Sequence, residues 1–146
     1  MSSVLHEIVV SWESDRPSSP EFVLDFYIRH CDQIACVVAL DADDGVVGFQ
    51  SLKLAVDGNP YGVAVGWGVI GTYVRLGTGR RGIGRALFAA TLRAAQDAGI
   101  STIDATIGEE NVSALAYYEA VGFRTYRSRP GAVCKRLFVQ ASGRNE

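Results

Sequence analysis

Glycine and arginine alternate closely at one place in the chain, Leu76-Gly77-Thr78-Gly79-Arg80-Arg81-Gly82-Ile83-Gly84-Arg85. Apolar strand formers run into this stretch, and the alanine- and leucine-rich run to Ala95 leaves it at helical spacing. A helix opens with unpaired N–H groups and a partial positive charge. Glycines let such a backbone close on a ligand with no Cβ in the way. Arg80, Arg81 and Arg85 add side-chain charge. The chemistry these residue types support is the binding of a phosphate or pyrophosphate. An ordinary strand-to-helix turn with solvated arginines would use the same residues, so the turn alone leaves both readings open.

Two nucleotide motifs can be tested against this stretch. Gly77-x-Gly79-x-x-Gly82 formally matches the dinucleotide fingerprint, with Glu109 or Glu110 as the later acid. The hairpins before it predict a largely antiparallel sheet, and the remaining chain is short for further βαβ units, so a dinucleotide binder is the weaker alternative. Gly77-x-x-x-x-Gly82 also begins like a nucleotide-triphosphate loop, but Ile83 stands where lysine is needed and Gly84 where serine or threonine is needed. Other chemistry is sparse. Cys31, Cys36 and Cys134 show no Cys-x-x-Cys spacing, and His6 and His30 offer no ligand pattern, so reduced thiols and no metal are expected. Asp41, Asp43 and Asp44 lack the spacing of a calcium loop and read as a solvated turn.

The totals bound the function classes. A chain of 146 residues, 48% hydrophobic and 21% charged, is expected to form a single globular domain over residues 1–146. A net charge of −2 argues against a general nucleic-acid partner, so the arginines read as a local site. No apolar run is long enough to span a bilayer, and the first residues resemble no signal sequence. The expected setting is the cytoplasm, with no membrane partner.

The elements that must position the glycine turn follow from periodicity and punctuation. His6 to Trp12 reads as a strand, and a helix follows Ser19-Pro20 through Phe22, Val23, Phe26, Tyr27 and His30. Ile34 to Leu40 and Val46 to Ala55 read as a hairpin. Val63 to Val74 reads as a strand with an unusual glycine content, Gly66, Gly68 and Gly71, which marks a bulge or a close backbone approach. The central helix ends at Gly99, and Thr102 to Ile107 alternates as a strand. Asn111 caps a helix running to about Val121, closed by Gly122. Phe123 to Arg127 and Val133 to Val139 form a last hairpin. The fold class is α/β of the α+β type, with a mixed, largely antiparallel central sheet and helices on both faces.

Tyr73 to Gly84 resembles the acetyl-CoA loop of the GNAT N-acetyltransferases, whose pattern Gln/Arg-x-x-Gly-x-Gly/Ala falls on Gly79-Arg80-Arg81-Gly82-Ile83-Gly84. Asn111-x-x-Ala114-x-x-x-Tyr118-x-x-x-Gly122-Phe123 resembles the second block of that family. The two blocks stand in the family's order, one helix and one strand apart. Gly79 departs from the pattern's first residue, and Leu76 stands where a proline often follows the strand. The resemblance implies a GNAT-like fold and acetyl-CoA as co-substrate, with no metal. It implies a pyrophosphate held by Gly79, Arg80, Arg81, Gly82, Ile83, Gly84 and Arg85. It lays the pantetheine arm along the backbone of Tyr73, Val74 and Arg75, with Asn111 near the thioester end.

Acetyl transfer from a thioester to an amine makes three demands. The cofactor must be held, the amine must be neutral, and the departing thiolate should gain a proton. For the last, Tyr118 matches the family's general acid. Tyrosine titrates near ~10 and a thiol near ~8.5, so that proton transfer is uphill by roughly 2 kcal/mol, which a positioned hydrogen bond offsets. For the second demand the nearest carboxylates along the chain are Asp104, Glu109 and Glu110, and a water chain or the binding of an amine already deprotonated serves equally well. Trp67, Tyr61 and Tyr73 read either as an amine pocket or as core. The acceptor is a small-molecule or peptide amine of unspecified identity, and monomer and homodimer both stay open. A non-catalytic acetyl-CoA-binding regulatory module is the alternative.

Overall fold

The structure, a computed structural model, describes residues 1–2, 19–23, 32–43, 45–60, 62–75 and 82–140, the side chains of residues 22 and 23 excepted. The strand read over His6 to Trp12, the helix beyond Val23, Cys31, Tyr61 and the loop from Leu76 to Arg81 lie outside the described residues. In chain order the elements are α1 (Pro20–Val23), β1 (Gln33–Leu40), β2 (Val46–Leu54), β3 (Gly68–Val74), α2 (Ile83–Asp97), β4 (Thr102–Gly108), α3 (Val112–Ala120), β5 (Arg124–Arg129) and β6 (Ala132–Phe138). The strands form a mixed sheet in the order β1-β2-β3-β4-β6-β5. Its pairings are antiparallel except between β3 and β4.

Local chemistry explains where the elements begin and end. Asp41 Oδ1 accepts the N–H groups of Asp43 at 2.9 Å and Gly45 at 2.8 Å, so this aspartate builds the β1–β2 turn. Asn111 Oδ1 accepts the Ala114 N–H at 3.2 Å, capping α3 as its type predicts. Gly122 follows α3 at φ 114°, a conformation that side-chain-bearing residues rarely adopt. One strand begins later than its apolar run suggests. Residues from Val63 to Trp67 form a turn, pinned by Asn59, whose side chain donates to the Val63 carbonyl at 2.8 Å and accepts its N–H at 3.0 Å. Gly66 reverses the chain at φ 91°, and β3 starts only at Gly68.

The main core lies between the sheet and the two long helices. Leu52, Ile70, Ile103, Ala105 and Ile107 meet Phe88 and Ala95 of α2, Tyr118 of α3, and Phe123. Phe123 takes both helices' rings edge-on, Phe88 at 5.7 Å and Tyr118 at 5.1 Å between centroids. Each fully buried large apolar side chain contributes about 1.5–3 kcal/mol, which is what fixes both helices on this face.

The pairing that matters for function is the shortest. β2 and β3 pair at seven positions, from Gly48 with Val74 to Leu54 with Gly68. β3 and β4, by contrast, pair only at Gly68 with Ile103 and Val69 with Asp104. Toward their C-terminal ends these parallel strands part, so the sheet splits in its middle.

Candidate active site

A cavity of about 530 Å³ fills the split. Thr72 and Tyr73 of β3 wall one side, Thr106 of β4 the other, and Asn111 and Tyr118 approach from α3. Successive side chains of a strand point to opposite faces. Thr72 faces the helices with Gln50, while Tyr73 turns to the other face and stacks on Phe49 at 4.9 Å. Ser51, Lys53 and Asp32 also wall the cavity, so it runs through the sheet from one face to the other.

A chain of hydroxyls leads from the helix to the strand. Tyr117 donates its hydroxyl proton to the Gly84 carbonyl at 2.7 Å. It must then accept from Gln50 Nε2, 3.0 Å away. The same Gln50 nitrogen donates to Thr72 Oγ1 at 2.9 Å, and Thr72 Oγ1 lies 2.7 Å from the Tyr118 hydroxyl. With one lone pair taken by Gln50, Thr72 can either accept the Tyr118 proton or give its own to the Tyr118 oxygen. Tyr118 is buried, and burial pushes its phenol well above the ordinary tyrosine value; the Thr72 hydrogen bond opposes that rise. The phenol is therefore fully protonated at neutral pH.

The main chain of β3 offers its open side to the cavity. The Arg75 N–H donates to the Val47 carbonyl at 2.7 Å, so Arg75 and, by alternation, Tyr73 direct their peptide groups at β2. Thr72 and Val74 direct theirs toward the split. The far end of the predicted cofactor site is α2. Gly82 caps it at φ 78° with no side-chain hydrogen bond, and Ile83, Gly84 and exposed Arg85 form its first turn. Gly84 has a packing reason as well, since a Cβ there would stand 2.6 Å from Tyr117 Cε1. Gly79, Arg80 and Arg81 lie outside the described residues.

Other predicted residues fall as follows. Tyr118, Tyr73 and Asn111 converge on the cavity. Glu109 and Glu110 are exposed before α3 and form no part of its wall. Asp104 is buried on the face away from α2 and α3. Trp67 packs at 5.6 Å from Tyr126 rather than lining the cavity. Sequence reasoning passed over Thr72, Gln50, Thr106 and Asp32. The only signal for Thr72 was a polar residue in an otherwise apolar strand. Among the described residues there is no cluster of three His, Cys, Asp or Glu that could hold a metal, and no helix long and apolar enough to cross a membrane.

A mixed sheet with a single short parallel pair is not the doubly wound parallel sheet of a dinucleotide fold. Residues 1–123 match the acetyltransferase (GNAT) family, and the chain belongs to that family. Among proteins of curated function, none matches the sequence. Solved structures share the fold. A GCN5-related N-acetyltransferase from Kribbella flavida is 20% identical at a TM-score of 0.77, covering 94% of this chain and 89% of its own. The yncA protein from Salmonella typhimurium, solved with its cofactor acetyl-CoA, is 16% identical at a TM-score of 0.57, covering 73% of this chain. The paia N-acetyltransferase from Thermoplasma acidophilum, in complex with coenzyme A, is 16% identical at a TM-score of 0.57, covering 67% of this chain. The match spans 65% of the yncA chain and 57% of the paia chain.

Proposed function

We propose that the chain transfers an acetyl group from acetyl-CoA to the nitrogen of a primary amine, on a small molecule or a peptide, with Tyr118 as general acid. The observation that carries this reading is the parting of β3 from β4 beside a buried tyrosine hydroxyl, in a cavity that passes through the sheet. The outward main-chain groups of Thr72 and Val74 suit strand-like pairing with the amide-bearing pantetheine arm. Tyr73 and Arg75 keep that edge straight through their bonds to β2. The first-turn N–H groups of Ile83, Gly84 and Arg85 suit the pyrophosphate, with the Arg85 guanidinium beside it. Gly79, Arg80, Arg81 and Gly82 complete that grip. Asn111, its Oδ1 held by the cap, keeps its amide nitrogen for the thioester end.

The acid step follows from the hydroxyl chain. The amine nitrogen attacks the thioester carbon, the C–S bond breaks, and the thiolate takes the Tyr118 proton. Burial makes that proton harder to give than in free tyrosine. Thr72 lowers the cost by turning its own proton onto the phenolate oxygen while Gln50 holds the threonine in place.

Calorimetry with acetyl-CoA, followed by thiol release with a panel of α-amino acids, dipeptides and diamines, tests the reading. Binding together with turnover of at least one amine is the expected result. Binding without any turnover would favour the non-catalytic module. Stabilisation by NAD where coenzyme A gives none would overturn the assignment, since a ligand raises stability by selectively binding the folded state.

A further inference from the structure

Asp104 is a buried carboxyl that the chemistry above does not use. It lies on β4 at 0% exposure. Its Oδ1 accepts the Thr106 hydroxyl at 2.8 Å, and its Oδ2 accepts the Tyr126 hydroxyl at 2.5 Å. Thr106 belongs to the cavity wall, and Asp104 stands behind it. A hydroxyl whose proton is committed to a carboxylate keeps its lone pairs for another donor. Thr106 Oγ1 also lies 3.7 Å from the Cys134 sulfur, a weak partner.

We infer that Thr106 and Asp104 form the proton exit for the acceptor amine: an ammonium N–H passes its proton to Thr106 Oγ1 while the Thr106 proton passes to Asp104 Oδ1. The inference rests on the transferase reading. Thr106 is then a catalytic residue that touches substrate, and Asp104 acts through it. The protons balance. The first to leave the ammonium ends on Asp104, giving a neutral amine. The second leaves the nitrogen after the C–N bond forms and the C–S bond breaks, and it restores the Tyr118 phenol that protonated the thiolate. Asp104 returns its proton to solvent by way of Thr106 once the amide has left.

The layout suits this division. Tyr118 reaches the cavity from the helix face, and Asp104 and Thr106 stand on the opposite face, so donor and acceptor do not exchange their protons directly. The Asp104 charge still reaches Tyr118 and helps keep that phenol protonated. Asp104 is surrounded by Tyr126, Arg127 and Arg129 on β5, Arg136 and Cys134 on β6, Val69 on β3 and Tyr118 on α3. Burial raises its pKa, and the Tyr126 and Thr106 hydrogen bonds and then the Arg127 and Arg129 charges oppose that rise. The carboxylate is thus a better base than an ordinary one. Asp32 also walls the cavity and is the rival.

The test takes the best amine of the panel and compares kcat/KM against pH for the native chain, Thr106→Val, Thr106→Ser, Asp104→Asn and Asp32→Asn. Thr106→Val and Asp104→Asn should each lose about 10²–10⁴-fold at neutral pH, the range of a general base. That loss should shrink as rising pH deprotonates the amine in solution, and Thr106→Ser should restore most of the rate. Acetyl-CoA affinity and circular dichroism should stay native. A loss equal at all pH values, unchanged rates in both variants, or a pH-dependent loss in Asp32→Asn alone would overturn the relay while the native chain still turned over. A native chain that released thiol with no amine would sink the transferase reading, and the relay with it.

Discussion

Replacing Gly84 by alanine sets two effects of known size against each other. Alanine is normally the better helix residue by about 0.5–1 kcal/mol. Here the new Cβ would stand 2.6 Å from Tyr117 Cε1 and 3.2 Å from its Cδ1. The ring cannot simply swing aside. Its hydroxyl is tied to the Gly84 carbonyl at 2.7 Å and to Gln50 at 3.0 Å, and its ring centroid lies 5.0 Å from that of Tyr118. Overpacking of this kind costs about 1–3 kcal/mol. The clash wins, and Gly84→Ala should destabilise the protein by roughly 1 kcal/mol, or about 2–4 °C in Tm. Urea and thermal denaturation of the two single variants and of Gly84→Ala/Tyr117→Ala measure it. With the ring removed, the same alanine should become neutral or stabilising, a coupling within the roughly 0.5–3 kcal/mol seen for residues in contact. Stabilisation by Gly84→Ala in the native background, or an equal effect in both, would refute the reasoning.

Three further outcomes follow. Tyr118→Phe should cut kcat by about 10²–10⁴-fold while acetyl-CoA affinity barely changes, because the ring keeps its contacts with Tyr117 and Phe123; equal loss of both would count against the acid role. Because the folded state raises the Tyr118 phenol above its unfolded value, the stability it contributes is complete below pH ~10 and lost as pH climbs toward the folded value. Tm should therefore fall above pH ~10, and less steeply in Tyr118→Phe; the same alkaline slope in both would contradict this. Asn111→Ala should cost about 1 kcal/mol through the lost cap on α3, with Asn111→Asp near native by denaturation.

Much of the scaffold could be read from single residues whose chemistry is local. Asn111 before a helix, Gly122 after it, and Asp41 opening a turn each act within a few positions of themselves. The family resemblance rested on residues of that kind. The contacts that build the candidate site join distant parts of the chain. Thr72 meets Tyr118 across 46 positions and Gln50 meets Tyr117 across 67, and no periodicity reports such pairings. The apolar run from Val63 overstates the extent of β3 for a related reason. Val63 and Val65 carry the apolar character of a strand, but Asn59 bonds the backbone of Val63 into a turn. The split between β3 and β4 was the least visible feature, because two neighbouring strands keep their apolar pattern whether or not they stay paired.

That split makes the sheet a book with a short spine. One leaf is β1, β2 and β3, the other is β4, β6 and β5, and two residue pairs bind them where Gly68 and Val69 meet Ile103 and Asp104. A guest lying in the gutter would act as a seventh rung, bridging pages whose strands pair with each other only at Gly68 and Val69 among the described residues. Cohesion between the leaves then becomes a function of guest concentration. Amide exchange at Val74 and at Thr106, whose N–H groups face each other across the split, should slow together as coenzyme A is added, while exchange deep inside either leaf holds its pace.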